Sequence, residues 1–597
     1  MKLISGGRSD FVVVCGDDPC ERFAAREMID FLKASTGAEL PLVRDPAGAP
    51  FVSLGDTAQL RAQNFGEPWS KPRRDSFFVR ERAGNLFLCG RRPRGTLYAA
   101  YDFLERNVGV RFLASDQTFV PARAEVCTEG RDRLEEPAFD LRSFYTVQTE
   151  CDSLYAARLR QVALYGEEDP RFGGGLETDG RLEGHNILEY ADERARKHEF
   201  RYEDGRIGVD LCFSDGIDEA GNPIPGGTAE TVAENLIRRI ASAPGQLWFS
   251  LCQNDVPEGC DCPTCRERRE KQGGYSGILI RFVNAVAGRV EEWRRKHCPE
   301  REIRIVTFAY AYTEQPPLNE AGEPLVRPAE NVWIWPATAE QNMIYACDEK
   351  GQNPAFTRLL EGWKRVTDRF CYWDYRINFA EYLFYFPGLR IFARDFAFLE
   401  KFGIDYLFCE AASGDKKDAA VWLNEIKAYV ASKLMWNPAQ DAAALTEEFC
   451  RLYYGEAADA VLEVIRLFED NYERLKVETP SARVHLLLGY RTCESDYYPR
   501  ELLTRSIEIL EEAIRACREE RLELRLRNVL ATPRRMLLRN YEEYFPDDER
   551  GKQALYRDFV RDCERLGFVN LGGWEFTLEN LKKIPDYNWW RLNGIPY

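Results

Sequence analysis

The 597-residue chain has no apolar stretch approaching the roughly 18 consecutive residues that a membrane-spanning helix needs, so no membrane span is expected. The opening stretch, MKLISGGRSDFVVV, also lacks the apolar core of a secretory signal. As written, the chain is expected in the cytoplasm, or secreted or periplasmic if a leader has been trimmed. Positive charge is short too: 98 acidic residues stand against 81 Lys and Arg, a net charge of −17. Nucleic acid and anionic membrane surfaces are bound largely through cationic faces, so neither is expected as a partner, and a neutral or weakly charged ligand fits better. Apolar and aromatic residues are plentiful, at 45% hydrophobic and 13% aromatic, which excludes a disordered chain. The length suggests about three domains. The 12 Trp, 28 Tyr and 35 Phe suit sugar stacking, but large cores use the same rings. Most of the 18 cysteines stand singly in apolar runs, as Cys15, Cys89, Cys212 and Cys371 do, where a reduced thiol is a small core hydrophobe. That favours a reducing compartment.

Strand and helix patterns alternate through residues 1–130: Phe11 to Val14, a helical period from Cys20 to Leu32, then Phe51 to Leu54, Phe77 to Val79, Leu86 to Gly90 and a helix from Gly95. A small N-terminal α/β domain is expected there. In RRPRGTLYAAYDFLE, Arg94 and Gly95 fall at a strand-to-helix turn, read as tight packing in preference to an anion site. Residues 131–435 carry short, buried-looking strands separated by helices: Phe139 to Tyr145, Val209 to Phe213, Leu247 to Gln253, Ile303 to Tyr312, Val332 to Trp335, Phe370 to Trp373 and Ile404 to Phe408. An ill-defined strand is placed between the first two. Repeated strand-then-helix units imply parallel strands with right-handed crossovers, and about eight over this length predict a (β/α)8, TIM-like barrel. Residues 436–597 read as helices only, ending in the aromatic-rich WEFTLENLKKIPDYNWWRLNGIPY, expected to cover a barrel flank.

Such barrels carry chemistry at the C-terminal ends of their strands. The polar groups expected there are Arg142, His185, Gln253, Asn254, Asp255, Tyr312, Thr313, Glu314, Trp373, Asp374, Tyr375, Asn378 and Glu410. Each alone is more often a cap, a core ring or an ion pair. Several carboxylates, a histidine and aromatics at one end point instead to a site, because buried charge needs a partner or a ligand. Paired carboxylates beside aromatic walls suit glycoside hydrolysis. An adjacent Asn–Asp pair suits a substrate-assisted version, in which the sugar's own 2-acetamido oxygen attacks the anomeric carbon. Asn254 would orient the amide and Asp255 would act as general acid and then base, with Glu314 the alternative acid. No catalytic metal or other cofactor is required. Cys260, Cys262 and Cys265, with Cys252 as a fourth thiol, offer a structural zinc site, against reduced thiols or a disulfide that stiffens the loop; no second CxxC is present.

QND followed by CxCxxC, AYxYTEQPP (Ala309 to Pro317), YWDYRINFAEYL (Tyr372 to Leu383) and RGTLYAAYDFLE together resemble bacterial glycoside hydrolase family 163. That family was formerly a domain of unknown function and comprises endo-β-N-acetylglucosaminidases acting on N-glycans. The resemblance runs to about residue 455. In architecture the chain also resembles family 20 β-hexosaminidases and family 67 α-glucuronidases. The family 20 pattern implies Asn254 and Asp255 as the strand-four pair, Arg142 and Glu410 as a sugar-hydroxyl clamp, and Trp373 and Tyr375 beside the acetamido group; Asn254 departs from the acidic residue usual there. The resemblance implies a retaining hydrolase for β-linked N-acetylglucosamine in an N-glycan. An exo-acting hexosaminidase or uronidase on small oligosaccharides, and a non-catalytic glycan-binding protein, are the other readings.

Overall fold

The computed structural model describes residues 1–71, 73–128, 132–162, 169–173, 184–192, 208, 210–338, 341–349, 351–411, 420–484, 497–573 and 576–583. The N-terminal strands are β1 (Lys2–Ser5), β2 (Val12–Cys15), β3 (Phe51–Leu54), β4 (Phe77–Arg82), β5 (Asn85–Gly90), β6 (Arg111–Ala114), β7 (Gln117–Phe119), β8 (Glu125–Cys127) and β9 (Arg133–Glu135). Five of them form one sheet in the order β2-β3-β5-β4-β9, parallel from β2 to β5 and antiparallel around β4. The helix Pro19–Thr36 starts where Asp18 accepts the Cys20 N–H at 2.8 Å and ends at Gly37, whose φ of 76° suits a residue without a Cβ. It shares one core with the helix Pro93–Phe103 and the sheet. At that second helix Gly95 is a packing residue: a Cβ there would lie 2.7 Å from the Ser76 carbonyl oxygen.

Six parallel strands follow, β10 (Leu141–Tyr145), β11 (Trp248–Ser250), β12 (Arg304–Ala309), β13 (Val332–Pro336), β14 (Phe370–Tyr375) and β15 (Ile404–Glu410). Their order is β10-β15-β14-β13-β12-β11, and the sheet curls into a half-barrel. The helices Thr228–Ser242, Tyr275–His297, Pro354–Val366 and Phe392–Phe402 stand between successive strands, close to the ranges 228–242, 277–296, 354–366 and 389–402 that helical apolar spacing in the sequence suggests. Side chains alternate as a pleated strand requires. Leu141, Tyr145, Trp248, Phe308, Trp333, Trp335, Cys371, Trp373, Tyr375, Tyr406 and Phe408 share one inner core, while Phe144, Ile334, Phe370, Tyr372, Leu407 and Cys409 belong to another on the helix side.

Closure into eight strands is not seen among the described residues. The expected strand Val209–Phe213 is absent over residues 210–213, where Asp210 turns its carboxylate onto the Leu211 N–H at 2.8 Å and takes a donor that a ladder would use. Irregular segments cover the two edges instead. Val162 donates to the Arg142 carbonyl at 2.9 Å beside β10. Beside β11, the Asn186 side chain donates to the Ser250 carbonyl at 3.0 Å and accepts the Cys252 N–H at 3.1 Å.

After β15 the described chain is helical, with Asn424–Trp436, Ala442–Tyr453, Ala458–Glu478, Arg500–Ala516, Glu520–Arg539 and Glu549–Arg565 as its main elements. Their core is continuous with the outer face of the parallel sheet. Part of the aromatic-rich tail, residues 574–575 and 584–597, lies outside the described residues. What precedes it packs on the loop after β14: Gly573 donates to the Phe379 carbonyl at 2.6 Å, and Tyr382 donates to that of Leu571 at 2.8 Å. No helix among the described residues is long and apolar enough to cross a membrane.

Candidate active site

The inner face of the half-barrel is layered by aromatic rings that lead up to the C-terminal ends of the strands. Trp373 on β14 stacks edge-on against Phe408 on β15 at 4.4 Å between centroids, and lies 5.2 Å from Trp335 and 5.7 Å from Phe308. One layer higher, the parallel register sets Glu410 between Tyr375 and Tyr145. Trp373 reaches up to donate its indole N–H to Glu410 Oε2 at 3.0 Å. Burial pushes the Glu410 carboxyl up to about 8, and the indole hydrogen bond only partly opposes it. Glu410 is therefore mostly protonated at neutral pH.

Asp255 is exposed, on the loop beyond β11, and accepts the Tyr310 hydroxyl at 3.0 Å. Burial first, and then Asp255, Glu410 and Glu314, push the Tyr310 hydroxyl above its ordinary value. The buried Tyr375 hydroxyl is raised too, by burial and then by Glu410, Tyr310, Asp255 and Glu314. Three carboxyl groups thus lie within electrostatic reach of the same two rings. Glu314 follows the short turn Ala311–Thr313, whose position is held by the Glu314 carbonyl accepting the Trp363 indole at 2.7 Å.

His185 hangs over this wall. Gly184 brings the backbone so close that a Cβ would lie 2.5 Å from the Phe308 ring, and His185 itself adopts φ 63°, unusual for a residue with a side chain. Its ring lies 5.3 Å from Phe308 and 5.5 Å from Tyr310, and Nδ1 is 3.0 Å from the Gln253 carbonyl oxygen. A carbonyl only accepts, so Nδ1 carries a proton and, in the neutral ring, Nε2 is the acceptor.

Other expected site residues act as supports. Gln253 is fully buried and donates to the Tyr310 carbonyl at 2.9 Å and to Thr313 Oγ1 at 2.5 Å, fixing the loop after β12. The Asn254 backbone N–H donates to Asp210 at 3.0 Å. Tyr312 turns away from Tyr310 and donates to the same Asp210 carboxylate at 3.1 Å. Asn378 is buried and caps a turn, accepting the Ala380 and Glu381 N–H groups at 3.0 and 3.3 Å.

Two expectations are corrected by strand parity. Arg142 is fully buried on the outer side of β10, where it donates to Asp75 at 2.6 Å and to the Phe139 carbonyl at 2.7 Å and lies over Trp436; it joins the N-terminal sheet to the half-barrel and does not reach the mouth. Asp374 lies between two inward rings, so it points outward, into a buried ion pair with Arg376 at 2.6 Å. Two residues of the neighbourhood were not among the expected set. Tyr310 is reached by continuing the inward alternation of Val306 and Phe308 past the end of β12. Asp210 is an acidic residue inside the apolar run VDLCF; it is buried, and burial holds its carboxyl up at about 6.

The cysteine cluster also differs from expectation. Cys252 faces the inner core of the half-barrel, 3.7 Å from the Val306 carbonyl oxygen, and the fourth sulfur beside Cys260, Cys262 and Cys265 is Cys212.

No curated protein matches the chain. Among solved structures, "a novel family GH115 4-O-methyl-alpha-glucuronidase, BtGH115A, with specificity for decorated arabinogalactans" superposes with TM-score 0.59 at 13% identity, covering 95% of this chain and 77% of its own. At that identity the likeness is one of fold. A GH138 enzyme targeting pectin rhamnogalacturonan II (TM-score 0.44, 10% identity, 96% and 74% covered) and CpGH84D (0.44, 9%, 95% and 91%) are more distant. A family model described as a domain of unknown function, DUF4838, matches residues 112–466, more than half of the sequence, and the chain belongs to that family.

Proposed function

We propose that the chain is a glycoside hydrolase whose site is the C-terminal mouth of the half-barrel. The observation that carries this is the convergence of Asp255, Glu314 and Glu410 on the wall formed by Tyr310, Tyr375 and Trp373. Rings stack on the C–H faces of a pyranose, and a set of carboxyl groups at one mouth can supply the proton and the countercharge that glycosidic cleavage needs. A fold shared with an α-glucuronidase is in keeping with a carbohydrate substrate.

The finer reading takes the substrate as a β-linked N-acetylglucosamine of an N-glycan-type oligosaccharide, cleaved with retention through the 2-acetamido oxygen. It is supported by the motifs shared with family 163. Asn254 orients the amide. Asp255, open to solvent and steadied by Tyr310, passes the proton to the leaving oxygen and later takes one from water. Glu410, uncharged at neutral pH, donates a hydrogen bond to a sugar hydroxyl. The value near 8 at Glu410 favours a second assignment, in which Glu410 is the general acid and Asp255 the base.

The test is incubation with a released complex N-glycan, a high-mannose glycan, an aryl N-acetylglucosaminide and an aryl α-glucuronide, with products read by mass. The expected outcome is cleavage of a glycan beside N-acetylglucosamine, with Asp255→Asn lowering kcat roughly 10²–10⁴-fold. Full turnover by Asp255→Asn removes that residue from the chemistry. Measurable sugar affinity with no product from any substrate replaces the hydrolase with a glycan-binding protein.

A further inference from the structure

Cys212, Cys260, Cys262 and Cys265 come from two separate stretches of chain, and all four are buried. Their sulfurs lie within 4.8 Å of one another, with Cys212 Sγ at 3.8 Å from Cys262 Sγ and 3.5 Å from Cys265 Sγ. A tetrahedral zinc with Zn–S bonds of about 2.3 Å sets its sulfurs about 3.8 Å apart, so these separations are close to the edge of that tetrahedron. Thiols acting only as small hydrophobes have no reason to converge sulfur to sulfur.

The surroundings point the same way. Cys262 is the N-cap of the helix Pro263–Gln272, and the Cys265 N–H points at Cys262 Sγ at 3.4 Å. Ser214 Oγ lies 3.1 Å from Cys265 Sγ. A backbone N–H and a hydroxyl set directly against the sulfurs are the outer contacts that orient ligands around a metal.

We infer that these four cysteines form a structural zinc site, with Cys212 in the place that sequence spacing assigns to Cys252. Loading forms four Zn–S bonds and releases the four thiol protons to solvent. The site has no open position for substrate; its work is to tie two segments. Cys212 stands two residues after Asp210, whose carboxylate holds the Asn254 N–H and the Tyr312 hydroxyl. Cys260 and Cys262 follow Asp255 on the same loop, and Cys265 stands in the first turn of the helix that ends it. Gly259 lies against the Tyr275 ring, and Tyr275 in turn meets Tyr312 edge-on at 5.5 Å. The metal thus clamps the loop that carries Asp255 to the segment that carries Asp210.

The experiment is elemental analysis of the full chain purified without added metal or chelator, together with thiol titration. One zinc per chain is expected, lost in Cys212→Ser and in Cys265→Ser and retained in Cys252→Ser. If the Ser variants do not fold, cobalt exchange into the unaltered protein replaces them: a tetrahedral four-sulfur site gives strong visible ligand-field bands and near-ultraviolet thiolate-to-cobalt charge transfer. Chelation is expected to lower Tm, with zinc restoring it. Substoichiometric zinc with all 18 thiols titratable in the unfolded chain, two disulfides among these four cysteines by mass, iron in place of zinc, or zinc kept by Cys212→Ser each overturns the inference. None of these readouts depends on hydrolase activity.

Discussion

At the scale of the residue, Glu410 makes the sharpest prediction. A carboxyl held near 8 by burial donates a proton below that pH and loses the ability above it, so a rate that depends on protonated Glu410 falls as pH rises through about 8. Glu410→Gln is expected to erase that alkaline limb whatever its effect on the plateau, and a pH–rate profile of both forms checks it. The native state also keeps a proton that the unfolded chain gives up from about pH 4.5, so the contribution of this one group to stability falls as pH rises from there to about 8 and stays lower above it, a loss that the amide does not show. A companion substitution, Tyr310→Phe, removes the hydroxyl from Asp255; the loss of one hydrogen bond to a charged group predicts a kcat reduction of roughly 10-fold with the fold intact. Strand-end residues such as Trp373, Tyr375 and Glu410 were legible because apolar runs end visibly at polar residues. Asp210 was not, because its partners are an N–H and a hydroxyl brought to it by loops after two other strands.

At the scale of the element, parity decides what a strand can present. Once Trp373 and Tyr375 face inward, Asp374 between them cannot, and the same alternation turns Arg142 outward from between Leu141 and Ser143. This was available in the sequence and outweighs the attraction of an arginine at a barrel mouth. The outward Arg142 meets Asp75, which burial alone would raise but which Arg94 and Arg142 hold down to about 2. The stability drawn from that depressed carboxylate is complete above its ordinary 3.8 and disappears as pH falls through about 2. Arg142→Met is expected to cost about 1.5–3 kcal/mol in a denaturant titration, since it takes one of two guanidinium partners from buried Asp75 and leaves Arg94 at 2.9 Å, while KM of the folded fraction stays put. A raised KM at unchanged stability would return Arg142 to the substrate. Helix bounds were easier to read, because Thr228–Ser242 and Pro354–Val366 carry their period between clear start and stop residues.

At the scale of the whole molecule, the helical part is more than an appendage. Glu381, buried on the loop after β14, takes Arg535 at 3.0 Å and Arg539 at 3.1 Å from the helix Glu520–Arg539. The same loop is paired with residues 571–573. Glu381→Ala leaves two guanidinium groups facing a buried gap, and a loss of about 3–5 kcal/mol is expected. Pulsed proteolysis that first releases fragments from the C-terminal helices would show that this joint fails before the N-terminal sheet. These ties join residues more than a hundred positions apart, and no local period announces them.

The edge of β11 has a consequence of its own. Where a neighbouring strand would spread its hold over several peptide groups, one carboxamide, that of Asn186, supplies a donor and an acceptor together, imitating a single peptide unit. Sensitivity to mutation there is concentrated instead of shared. Asn186→Asp has the same outline, yet it sets an acceptor against the Ser250 carbonyl, so a single atom exchanged for another shifts the hold on this edge to the Ile187 N–H on the Cys252 carbonyl at 3.0 Å.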